Sequence, residues 1–102
     1  MCFLYKENAD PDRCVLILRG DVDNSNVREF EAALSGAIKT PGPVVLDLTQ
    51  LHFIDVAGMR VLERQATQLS EAGDRLVLSS PPAFFERVLE ILELDELVEV
   101  AA

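Results

Sequence analysis

The sequence predicts an α/β fold, a mostly parallel mixed β-sheet of about five strands with helices packed against it. Three observations carry that expectation. Short runs of Val, Ile and Leu alternate with longer segments whose apolar residues recur at helical spacing. Turn residues punctuate the junctions, most sharply at Pro41-Gly42-Pro43 and Ser79-Ser80-Pro81-Pro82. Helices placed between strands imply right-handed crossovers, which set successive strands parallel.

The elements follow in order. Residues 3–6 and 13–19 read as two strands joined by the turn-rich Asn8-Ala9-Asp10-Pro11-Asp12, a hairpin that adds one antiparallel strand. The second is apolar on both faces, as a central strand is. Gly20-Asp21-Val22-Asp23-Asn24-Ser25 then breaks the pattern and offers a helix N-cap. Val27, Phe30, Ala33, Leu34, Ala37 and Ile38 follow at helical spacing, and this first helix ends before Pro41. Residues 44–48 are too few for a helix and begin with two valines, so they read as a buried strand, with residues 49–55 as a loop.

From about Ala57 a second helix places Val61, Leu62, Ala66 and Leu69 on one face and Arg60, Glu63, Arg64, Gln68 and Glu71 on the other. Gly73 closes it. Residues 75–78 form the next strand, which the prolines stop before opening a third helix to about Leu92. Phe84 or Phe85, Val88 and Leu89 face inward there. A turn at residues 95–97 and a strand at 98–100 complete the order.

A chain of 102 residues, 49% apolar, suits a single domain over residues 1–102. Its net charge of −9 opposes nucleic acid phosphates and anionic lipid, and a basic protein partner is compatible with it. No apolar run approaches the ~20 residues of a membrane span, and the first ten residues lack a signal-peptide layout, so a cytoplasmic protein without membrane insertion is expected. Cys2 and Cys14 match neither a CxxC spacing nor a disulfide framework, and Cys14 reads as a plain buried thiol. His52, the single histidine, has no second ligand nearby, and the chain has neither GxxxxGK[ST] nor GxGxxG. No metal, cofactor or catalytic residue is expected.

In an open α/β sheet, sites are built outside the strand C-termini. Loops at residues 21–25, 49–58 and 79–82 are therefore expected to meet at one edge.

Asp47-Leu48-Thr49 followed by Phe53-Ile54-Asp55-Val56-Ala57-Gly58-Met59 closely resembles the signature of the STAS domain, the fold of the anti-sigma factor antagonists, which usually reads D-L-S, a spacer, then F-I-D-S-S-G-L. Leu18-Arg19-Gly20-Asp21-Val22-Asp23 is similar to that family's L-x-G-x-L-D, and residues 89–100 to its C-terminal pattern. The resemblance covers about nine-tenths of the chain and implies a STAS-type sandwich. It also implies a protein-binding module whose partner is an anti-sigma factor or a GHKL-type kinase-like regulator, with a homodimer compatible. A second reading comes from STAS subunits of lipid-trafficking ABC transporters, which bind the ATPase subunit and also resemble this chain. In the antagonists, the serine directly after the F-I-D aspartate is phosphorylated by the partner. Here that position is Val56 and the next is Ala57, so no hydroxyl stands at the family's acceptor site.

The residues expected to bind a partner are Asp21, Asp23, Asn24, Ser25, Asp55, Val56, Ala57, Gly58, Met59, Arg60, Ser79 and Ser80. Several have plainer roles beside that one. Asp55 suits a helix N-cap, Gly58 close packing, and Met59 either core or contact. Ser79 and Ser80 are the best remaining hydroxyls for a displaced phosphosite, although turn chemistry accounts for them.

Overall fold

The computed structural model describes residues 2–7 as backbone alone and residues 14–39 and 42–101 in full. Its strands are β1 (Cys2–Glu7), β2 (Cys14–Val22), β3 (Val44–Ile54), β4 (Leu76–Ser79) and β5 (Val98–Ala101). Its helices are α1 (Val27–Ile38), α2 (Val56–Glu71) and α3 (Ala83–Ile91). The five strands form one sheet in the order β1-β2-β3-β4-β5, with β1 antiparallel to β2 and every later pair parallel. The turn expected at residues 8–12, and Cys2 as a side chain, lie outside the described residues.

A single apolar layer joins sheet and helices. Cys14, Leu16, Leu18 and Val22 of β2, Val44, Leu46 and Leu48 of β3, and Leu76 and Leu78 of β4 meet Phe30 and Leu34 of α1, Leu62, Ala66 and Leu69 of α2, and Phe85 and Leu89 of α3. Alternate residues of the same strands, such as Val45 and Val77, face away and are only half-buried, which is the period-2 signature of a sheet with one packed face. Of the two candidate phenylalanines in α3, Phe85 is the core residue and Phe84 is exposed.

Two helices end alike. The N–H groups of Gly73 and Asp74 donate to the carbonyls of Ser70 and Leu69 after α2. After α3, those of Glu93 and Leu94 donate to Glu90 and Leu89. Both are Schellman closures, which need a left-handed residue at the position after the cap. Gly73 adopts it at φ 85°, whereas Glu93 adopts it at φ 57° with a side chain in place.

The structure corrects the expected boundaries at the upper end of the sheet. β2 continues through Gly20 to Val22, and β3 continues through residues 49–54, a span expected from its sequence to be loop. The reason is a pair of irregularities in register, between Ile17 and Arg19 and between Gly20 and Asp21, at each of which β3 carries one more residue than β2. They space Leu48, Leu51 and Ile54 three residues apart while keeping all three buried, which disguises a strand as irregular sequence. The helix edges differ by less. α1 is capped at Asn26, without a side-chain cap bond, and α2 begins at Val56.

Candidate functional site

The long strands β2 and β3 end together, tied by the Asp55 N–H donating to the Val22 carbonyl at 3.0 Å. Here the chain turns into α2. Asp55 is extended and its Oδ1 accepts from the Gly58 N–H at 3.0 Å, so the carboxylate occupies the N-cap and satisfies a free helix donor. At Gly58 the helix lies against the sheet with no room for a side chain. A Cβ there would stand 2.6 Å from Ile54 Cγ1 and 2.9 Å from Val22 Cγ1, inside any tolerable contact. The glycine thus sets how near the first turn of α2, with Val56, lies to the strand ends.

Beside it, the β2–α1 turn is fixed by side chains rather than by length. Asn26 accepts from the Asp23 N–H through Oδ1 at 2.9 Å and donates through Nδ2 to the Asp21 carbonyl at 2.8 Å, bridging both sides of the turn. Asp23 Oδ1 in turn accepts from the hydroxyl and the backbone N–H of Ser25. Those two bonds, the hydroxyl first, hold the Asp23 carboxyl below the ordinary carboxylate value and keep its charge at one place.

The second irregularity of β3 falls at His52, which has no partner in the β2 register and is largely exposed. Its Nδ1 stands 3.6 Å from Asp21 Oδ1, beyond hydrogen-bond length, and that oxygen is buried with no partner among the described residues. One position further on, Phe53 points outward and is 51% exposed. Val56 is 64% exposed. Two large apolar side chains therefore flank Asp55 on a surface that also carries Asp21, Asp23, Asn24, Ser25 and His52.

The expected residues divide. Asp21, Asp23, Asn24, Ser25, Asp55 and Val56 share this edge, with Ala57 half-buried in the first turn of α2 and Arg60 exposed one turn on, 3.5 Å from Glu63. Met59 does not belong to the surface. It is 1% exposed within the core, because α2 turns that position toward the sheet, and Gly58 is buried as well. Ser79 and Ser80 also lie apart. Ser79 is level with Asp47 in the β3–β4 register, and β3 runs on to Ile54, level with Val22 and five β2 residues beyond Ile17, which puts the end of β3 roughly 16 Å further along the strand direction. Only two of the three loops expected to meet do so, since β4 is short.

Phe53 and Asn26 escaped the sequence reading. Phe53 had the signal of an aromatic beside a helix cap, but a strand reading was needed to turn it outward. Asn26 stands three residues after Asp23, a spacing at which side chain and backbone can bridge a turn. Among the described residues no group of three or more His, Cys, Asp or Glu is placed to hold a metal, and no helix is long and apolar enough to cross a membrane. The edge presents a shaped apolar surface with fixed negative charge, which suits recognition of another macromolecule.

A family model described as "Mlab, STAS domain" matches residues 6–99. BtrV of Bordetella bronchiseptica, a candidate anti-sigma factor antagonist, is 36% identical over 78 residues, covering 76% of this chain and 67% of that protein. A candidate anti-sigma factor antagonist from Thermotoga maritima has a solved structure that superposes with a TM-score of 0.85 at 22% identity, over 97% of this chain and 86% of that one. The phosphorylated form of SpoIIAA, a Bacillus cell fate determinant, gives 0.77 at 20% identity, over 98% and 92%. These two share the fold. With a sequence motif, a five-stranded sheet and a family match that all agree, the chain belongs to the STAS domain family.

Proposed function

We propose that this chain is a non-catalytic binding module that acts as an anti-sigma factor antagonist, capturing an anti-sigma factor or a related regulator at the edge formed by the β2–α1 turn and the start of α2. One observation carries the reading. The first residue of α2, where a hydroxyl would receive phosphate, is an exposed valine followed by Ala57. A phosphate there would gain from the free N–H groups of the helix start and bring about −1.5 to −2 charges to the surface. Val56 neither accepts a phosphate nor imitates one, so capture is independent of phosphorylation. Phe53 and Val56 supply apolar contact, and Asp21, Asp23 and Asp55 supply charge.

The test is a binding measurement between this protein and a candidate anti-sigma factor, with a Val56→Asp variant beside it. A carboxylate at the helix start should weaken capture by tenfold or more. Equal affinity of the two forms would move the interface elsewhere, and stoichiometric phosphate on any serine or threonine of the chain after incubation with the partner and ATP, with loss of capture, would end the phosphorylation-independent reading. The match to the model described as "Mlab, STAS domain" favours a second reading, an accessory subunit bound to the ATPase of a lipid-trafficking ABC transporter. Pull-down of an ABC ATPase in place of a sigma regulator would select it.

A further inference from the structure

We draw no further inference here: the strongest candidate, the face of the sheet turned away from the helices, where the half-buried Val15, Val45 and Val77 lie side by side on β2, β3 and β4, carries nothing because nothing among the described residues shows what covers it.

Discussion

At the scale of single residues, Gly58 and Asp55 govern how α2 starts. Gly58→Ala forces a methyl to within 2.6 Å of Ile54, so the buried Ile54 and Val22 side chains or the first turn of α2 must shift. Overpacking of this kind costs about 2 kcal/mol, which at roughly 4–8 °C per kcal/mol lowers the melting temperature by about 8–16 °C in calorimetry. Asp55→Ala removes the cap bond to Gly58 and should cost about 1 kcal/mol by urea denaturation. Asp23 makes a pH prediction. Its carboxyl is lowered in the folded chain, so the stabilisation is present above the unfolded value and disappears as pH falls through the folded one. The Ser25 amide resonance should therefore shift on acidification with a midpoint below that of an ordinary aspartate. A midpoint at or above the ordinary value would show that the turn does not hold the charge.

At the scale of elements, two irregularities are open to improvement. Glu93 closes α3 in the left-handed region, where a side chain is strained. Glu93→Gly should stabilise the fold by about 0.5–1 kcal/mol, the gain being limited by the greater freedom glycine gives the unfolded chain. Removing one carboxylate from an acidic chain works in the same direction. Gln65 is the one buried polar residue on the inner face of α2, and its Oε1 has no partner among the described residues. Gln65→Met, close in shape, should raise stability by about 1 kcal/mol, as read by denaturant midpoint.

The same elements explain what the sequence disclosed. The helices were legible because Phe30, Leu34, Leu62 and Leu69 repeat at a period that few alternatives share, and Asp55 and Gly73 mark the limits of α2. The far half of β3 was not, because its extra residues spoil the alternation by which strands are recognised. With that half hidden, Phe53 lost its orientation. The short β4 is legible at its true length, but with the far half of β3 hidden nothing in the sequence separates the level of Ser79 and Ser80 from that of the α2 start.

At the scale of the molecule, the negative field acts on whatever approaches. Association with a basic partner should slow as ionic strength rises, in stopped-flow measurements, while dissociation changes little. The sheet also has an unfinished side. β4 pairs with β3 only as far as Asp47, so from Leu48 to Ile54 no described strand lies along the flank of β3 that faces β4. An unpaired flank of that length is a template on which other chains can add, and regular apolar edges of this kind nucleate aggregates. The irregularity at His52 and the polar Thr49 and Gln50 make this flank a poor template. The two extra residues of β3 thus also blunt it as a template for neighbouring copies of the chain.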